Sequence, residues 1–194
     1  MYVKELAMSD AVELGKRRQA VHKDSSNPRI NKNNPGYEHD TGAPGEELFE
    51  KEFGYPLDER DHVGGDSGYD FVTAIGFIDV KTTSFHTPAL NVKTYEIDRP
   101  VDIYVLAFRN KVTKVVKFLG WELQEPMKSA PIVQVYYGQL VPCYQKLPGE
   151  LKSMDSFRKF LDYYEKIKRP ELTVKLKAGN WPDVIDIYKD FKND

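Results

Sequence analysis

One tripeptide in the sequence combines residue types that acid–base and metal chemistry use. Asp79-Val80-Lys81 places a carboxylate and an ammonium two positions apart. On a strand these two side chains share one face, while Val80 points to the other. The pattern is weak by itself, because Glu150-Leu-Lys152 and Asp190-Phe-Lys192 also show it. The surrounding sequence must therefore decide which tripeptide has a chemical role.

A second carboxylate is predicted close to Asp79 by the hairpin that contains it. The strand-forming residues of segment 69–82 are interrupted at Ala74-Ile75-Gly76. If Ala74 and Ile75 form a two-residue loop, Asp70 falls opposite Asp79, with Cβ atoms about 5 Å apart. Gly76 could instead mark a longer, bulged turn that shifts the pairing by one residue. The sequence leaves both registers open.

Two facing carboxylates repel each other unless a cation lies between them. Hard divalent ions such as Mg²⁺ and Mn²⁺ prefer these oxygen ligands and retain several waters. An ammonium at Lys81 could then orient an attacking water and stabilise the charge that develops on a phosphodiester, while the ion lowers the pKa of the water. This combination predicts hydrolysis of a phosphate ester. The alternative is a surface hairpin whose Asp and Lys side chains face solvent.

A helix is predicted from Pro44 to Phe53, since Pro suits a first helical position and Gly54 follows the last one. Its helical spacing predicts a buried face at Leu48, Phe49 and Phe53. Glu46 is expected near the edge of that face, and Glu47 almost opposite it. Glu46 is therefore the candidate for a third, partly buried functional carboxylate.

Together these segments resemble the PD-(D/E)XK, or restriction-endonuclease-like, phosphodiesterases. The matching pieces are Gly45-Glu46 in a helix ending at Phe53-Gly54, Gly68-Tyr69-Asp70, Ile78-Asp79-Val80-Lys81-Thr82-Thr83, Val101 to Phe108, and Phe118-Leu-Gly-Trp121. The resemblance covers residues 42 to about 145. Within the family, this region is similar to small phage and archaeal nucleases. Tyr69 stands where the family's motif has proline.

The resemblance implies an α/β protein with a restriction-endonuclease-like core, in which a central mixed β-sheet is flanked by helices. It also implies Mg²⁺-dependent cleavage of DNA, with Mn²⁺ as a substitute ion. The implied metal ligands are Glu46, Asp70, Asp79 and the carbonyl of Val80, and Lys81 is the implied catalytic base or charge stabiliser. Glu47 or Glu50 could replace Glu46, and Asp66 could replace Asp70.

Charge is unevenly distributed, although the net charge is only −2. A basic N-terminal segment precedes an acidic one that spans residues 38–70. Backbone phosphates of DNA could bind to Lys16, Arg17, Arg18, Arg29 and Lys32. Solvated segments of opposite sign are the alternative interpretation.

Length and composition predict a single globular domain of 194 residues, with 40% hydrophobic and 30% charged residues, and the resemblance implies that it is a nuclease domain. Its expected parts are a helix with a basic arm (1–43), a catalytic core (44–145) and C-terminal helices (146–194). Strands are predicted at 69–73, 77–82, 101–108, 112–119 and 132–137, and further helices at 9–23, 157–167 and 182–191. The lone Cys143 is expected to be a small buried side chain.

The sequence shows neither a membrane-spanning stretch nor a secretory signal pattern, and a single cysteine suits a reducing compartment, so a cytoplasmic location is expected. DNA is the expected partner, and a homodimer is possible. An endonuclease is favoured over a junction resolvase, an exonuclease or a nickase. A non-catalytic DNA-binding or structural protein is the alternative from another class.

Tyr136 and Tyr137 alternate across a predicted strand, so one is expected in the core and the other exposed.

Overall fold

A computed structural model describes residues 37–58 and 68–180 of the chain. The helices are α1 (Tyr37–Phe53), α2 (Gln124–Lys128), α3 (Met154–Tyr163) and α4 (Pro170–Lys177), with a 3-10 turn at Pro148–Glu150 and a π-helical turn at Tyr164–Lys168. The strands are β1 (Phe71–Thr73), β2 (Gly76–Thr83), β3 (Leu90–Lys93), β4 (Ile103–Arg109), β5 (Val116–Leu123), β6 (Ile132–Tyr136) and β7 (Leu140–Lys146).

The first sheet contains four strands in the order β1-β2-β4-β5. Strands β2 and β4 are parallel, whereas the other two neighbouring pairs are antiparallel. The prediction of an α/β protein with a mixed sheet flanked by helices is therefore confirmed. A parallel pair needs a long crossover connection, and here β3 and the loop after it lie between β2 and β4 in the chain.

Helices α1 and α3 cover one face of this sheet through aromatic side chains. The Phe49 ring centroid lies 4.5 Å from that of Phe71 and 5.9 Å from that of Phe157. Trp121 of β5 packs on Phe157 as well, at 5.6 Å between ring centroids. Burial of Phe49, Phe71 and Phe157 is complete, so this layer removes a large apolar area from water and stabilises the fold.

A second sheet has the strand order β3-β7-β6 and contacts strands β4 and β5 of the first sheet. Its strand β3 buries Leu90 and Val92 completely, and Lys146 of β7 is paired with Glu122 of β5. Strands β3 and β7 were not predicted from the sequence. Pro142 lies inside β7, which is the middle strand of this sheet, and a proline argues against a central strand because it has no N–H to donate.

Helix α1 begins at Tyr37, so the predicted start at Pro44 is wrong, and residues 37–43 belong to this helix and not to the predicted basic arm. Pro44 lies inside the helix, where it removes one backbone hydrogen bond. Packing compensates for this loss, because every residue from Ala43 to Phe49 is buried. The predicted end is confirmed, since Gly54 has φ of 73° and its N–H donates to Glu50 O at 2.8 Å.

The C-terminal region is helical, as predicted, and a further helix that was not predicted, α4, begins at Pro170. This follows from the suitability of proline for a first helical turn. The predicted helices at 9–23 and 182–191 lie outside the described residues. None of the helices within the described residues is both long and apolar enough to span a membrane.

Candidate functional site

The hairpin of β1 and β2 has the two-residue connection that the sequence predicted as one alternative. Thr73 pairs with Gly76, which leaves Ala74 and Ile75 as the loop. The Thr73 hydroxyl donates to Gly76 O at 2.8 Å and accepts from Ile75 N at 3.3 Å. Backbone torsion also requires the glycine, since Gly76 has φ of 135°. The alternative of a longer, bulged turn is wrong.

Asp70 lies just before β1, where the regular pairing of the hairpin ends. The last regular pair is Phe71 with Ile78. The N–H of Asp70 donates to the carbonyl oxygen of Ile78 at 2.8 Å. The Asp70 carboxylate accepts from the N–H of Val80 at 2.7 Å. The Asp70 side chain therefore contacts β2 at Val80, the residue between Asp79 and Lys81. Asp70 and Asp79 lie just beyond the last regular pair of the hairpin.

Asp79 and Lys81 share one face of β2, as their spacing predicted. The Lys81 Nζ lies 2.6 Å from Asp79 Oδ2, and 32% of the Lys81 side chain is exposed. Burial disfavours the charged form of Lys81, but the charge and hydrogen bond of Asp79, followed by the charges of Glu96 and Asp70, raise the pKa of this ammonium above its ordinary value. The hairpin thus brings Asp70, Asp79 and Lys81 together, and the ammonium is held charged.

Glu46 belongs to a helix that packs on the other face of the sheet. A Cβ at the preceding Gly45 would lie 2.1 Å from Thr82 Oγ1 and 2.9 Å from Ala107 Cβ, so α1 rests against the face that carries Val80 and Thr82. Within the described residues, no group of three or more His, Cys, Asp and Glu side chains is arranged to hold a metal ion. The structure therefore does not bring Glu46 into one ligand set with Asp70 and Asp79, and its role stays a prediction.

The two alternatives to Glu46 have structural contacts of their own. Glu47 was expected to point away from the core, but it is as buried as Glu46, at 5% against 6% exposure. Its carboxylate pairs with Lys51 at 2.6 Å, one turn further along the helix. Glu50 accepts a hydrogen bond from Leu57 N at 3.4 Å. Asp66, the alternative to Asp70, lies outside the described residues, as do Lys16, Arg17, Arg18, Arg29 and Lys32.

Tyr104 and Glu96 lie near the candidate site but were not predicted from the sequence. Tyr104 of β4 is the register partner of Asp79 and is 1% exposed. Burial, and then the negative charge of Asp79, raise the pKa of the Tyr104 hydroxyl well above its ordinary value, so this group stays protonated. Only the pairing of β4 with β2 places Tyr104 next to Asp79. That pairing depends on the tertiary fold, so the sequence did not indicate it.

The loop after β3 reaches the hairpin through Glu96 and Arg99. The Glu96 carboxylate lies 3.3 Å from the Lys93 ammonium and 3.7 Å from the Arg99 guanidinium. The Arg99 side chain packs over Gly68, where an added Cβ would lie 2.8 Å from Arg99 Cδ. Since Gly68 is two residues before Asp70, this loop borders the candidate site. No motif in the sequence indicates that proximity.

The second acid-x-Lys tripeptide has a structural role that explains its lysine. Lys152 contacts Glu122, a 3% exposed carboxylate of β5, and Lys146 contacts the same carboxylate at 2.6 Å. Burial raises the pKa of Glu122, but the hydrogen bonds from Lys146, Lys152 and the Leu123 N–H outweigh it and leave that pKa below its ordinary value of 4.5. Of the two tripeptides within the described residues, only the first has its acid and lysine paired with each other. The third lies outside the described residues.

The prediction for Cys143 is confirmed, because the side chain is completely buried.

The prediction that either Tyr136 or Tyr137 lies in the core is wrong. Tyr136 is 67% exposed and Tyr137 is 37% exposed. Strand β6 ends at Tyr136 and is an edge strand of its sheet, so the alternation no longer applies at Tyr137.

Comparison of the chain with protein-family models, with curated proteins and with solved structures gives no match. The function must therefore be argued from the site itself.

Proposed function

We propose that this protein is a Mg²⁺-dependent deoxyribonuclease that hydrolyses phosphodiester bonds of DNA, with endonuclease activity favoured. The observation that carries the proposal is the arrangement on β2. Asp79 and Lys81 are paired at 2.6 Å on one face, and the Asp70 carboxylate contacts the backbone between them at Val80 N. Two carboxylates and one ammonium thus lie at or beside residues 79–81 of one strand.

The donor set suits a hard divalent cation. Asp70, Asp79 and the Val80 carbonyl would supply oxygen ligands, and Mg²⁺ is commonly bound by only one or two carboxylates together with water and substrate phosphate. When bound, the ion would polarise the phosphodiester and lower the pKa of a bound water. Glu46 remains a proposed further ligand, and it would have to approach from the helix on the other face of the sheet.

The protein's own residues would position the substrate and its charge. Lys81 is a donor beside the carboxylates, so its ammonium can hold an attacking water or a non-bridging phosphate oxygen and stabilise the negative charge of the transition state. Tyr104 stays protonated beside Asp79, so its hydroxyl adds no negative charge to the site. A non-catalytic DNA-binding protein has no requirement for two acids and a lysine placed side by side, and this favours the enzyme over the binding module.

A substrate panel tests the proposal. Purified protein is incubated with supercoiled, linear, single-stranded and four-way-junction DNA in Mg²⁺, Mn²⁺ or EDTA. We expect cutting of at least one substrate in either metal, none in EDTA, and loss of cutting in Lys81→Ala and Asp79→Ala. Equal cutting by the wild type and both variants would show contamination, and DNA binding without cutting would favour the non-catalytic alternative.

A further inference from the structure

Three side chains beside the candidate site form what we call the aromatic rim: Lys93, Tyr95 and Tyr137. The Lys93 Nζ lies 5.6 Å from the ring centroid of Tyr95 and 5.8 Å from that of Tyr137. Tyr95 is 58% exposed and Tyr137 is 37% exposed. The rim therefore presents two accessible rings held around one cation.

The aromatic rim is connected to the candidate site by a continuous series of contacts. Lys93 is paired with Glu96, Glu96 with Arg99, and Arg99 packs over Gly68 at the start of the hairpin. Burial raises the pKa of Tyr137 to about 12, while the positive charge of Lys81 acts in the opposite direction. That influence of Lys81 agrees with the contacts in placing Tyr137 near the hairpin. A DNA strand at Asp79 and Lys81 would thus pass close to the rim.

We propose that the aromatic rim binds an unpaired base of the DNA strand whose phosphate lies at Asp79 and Lys81. This inference rests on the proposed nuclease function and specifies its substrate class: single-stranded DNA, or DNA with unpaired nucleotides beside the cut. Bases within a duplex are stacked on their neighbours, whereas an unpaired base offers both faces to aromatic side chains. Lys93 adds a positive charge for the adjoining phosphate.

Binding can be measured separately from cutting by fluorescence anisotropy in EDTA. The probes are a fluorescein-labelled oligonucleotide of about 20 nucleotides, which exceeds the usual site size of single-strand binding folds, and the same strand fully paired. The proteins are the full-length wild type, Tyr95→Ala, Tyr137→Ala, the two corresponding Phe variants and Tyr136→Ala. Tyr136 is the matched control, because it is an exposed tyrosine adjacent to Tyr137 but has no contact with Lys93 among the cation–ring contacts of the described residues.

We expect each Ala variant to bind the single strand about 10-fold more weakly than the wild type, since stacking on one ring contributes an effect of this size. The Phe variants retain the ring and should bind within about two-fold of the wild type. Tyr136→Ala should bind as the wild type does, and affinity for the duplex should be unchanged in every variant. Tyr95 is mostly exposed, so its variants test the inference even if Tyr137→Ala does not fold.

The inference is overturned if both Ala variants bind the single strand like the wild type, if the Phe variants lose as much affinity as the Ala variants, or if the loss is equal on the duplex. The two proposals fail in different ways. Metal-dependent cutting with unchanged binding by the Ala variants would refute only the base-binding rim. Tyrosine-dependent binding of the single strand by a protein that cuts nothing would refute only the nuclease.

Discussion

The Glu122 carboxylate is surrounded by Lys146, Lys152 and the N–H of Leu123. It lies on the same row across the first sheet as Tyr104 and Asp79, since Asp79 pairs with Tyr104 and Tyr104 with Glu122. Glu122 is held by two lysines, whereas Asp79 is paired with the partly exposed Lys81. The two lysines give Glu122 a structural role, and Asp79 is the acid of this row that we propose as a metal ligand.

Glu122→Gln is expected to lower the free energy of unfolding by about 2 kcal/mol, because it leaves two lysines next to a neutral amide. Urea unfolding near neutral pH measures the loss. Glu125→Gln is the control, because the Glu125 side chain is 79% exposed, and its change should stay below about 0.5 kcal/mol. A loss in Glu122→Gln no greater than in the control would contradict a structural role for this carboxylate.

The same carboxylate predicts a pH dependence of stability. Its pKa is lower in the folded state than its ordinary value of 4.5, so the stabilisation is present above that pH and is lost as the pH falls below it. Unfolding measured over a pH series should therefore show the wild type and Glu122→Gln converging in acid. A constant difference between the two proteins across the series would contradict the lowered pKa.

Helix α1 packs closely on the first sheet because Gly45 has no side chain. Gly45→Ala should lower the free energy of unfolding by about 1–3 kcal/mol, since its Cβ would lie 2.1 Å from Thr82 Oγ1. Gly149→Ala is the matched control, because a Cβ there has no neighbour within 4 Å. Urea or thermal unfolding distinguishes them, and equal stability of the two variants would mean that α1 does not pack this closely.

The β1–β2 hairpin was predictable because its signals are local. Short runs of β-forming residues and a glycine at the turn limit its register to two alternatives, and the structure shows which of them forms. Strand β7 was not predictable in this way, since Pro142 weakens the local signal and the strand forms through distant partners in β3 and β6. For the same reason Asp70, Asp79 and Lys81 could be grouped from the sequence, whereas Tyr104, Glu96 and the aromatic rim could not.

At the scale of the whole molecule, a net charge of −2 means that any attraction to DNA must come from local groups of cations. The sequence places such a group in the N-terminal segment. The logarithm of the DNA-binding constant falls as the logarithm of the salt concentration rises. Replacing Lys16, Arg17 and Arg18 by alanine should make this dependence shallower, reducing the magnitude of the slope by about 3, or about 1 for each lost phosphate contact.

Titrations of labelled DNA at several salt concentrations measure this slope. The control is a triple alanine variant of Lys159, Lys166 and Lys175, three exposed lysines of the C-terminal helical region, which should leave the slope near that of the wild type. Equal slopes for the wild type and the N-terminal variant would show that this segment does not contact phosphates.

The central claim is that the carboxylates beside Lys81 make DNA cleavage depend on a divalent ion, and the rate of cleavage by Asp79→Asn in Mg²⁺ tests it most directly. Asp162→Asn is the control, because Asp162 also pairs with a lysine, Lys166, but lies exposed in α3. We predict a rate at least about 100-fold below that of the wild type for Asp79→Asn and an unchanged rate for Asp162→Asn. Cleavage by Asp79→Asn at the wild-type rate would contradict the account.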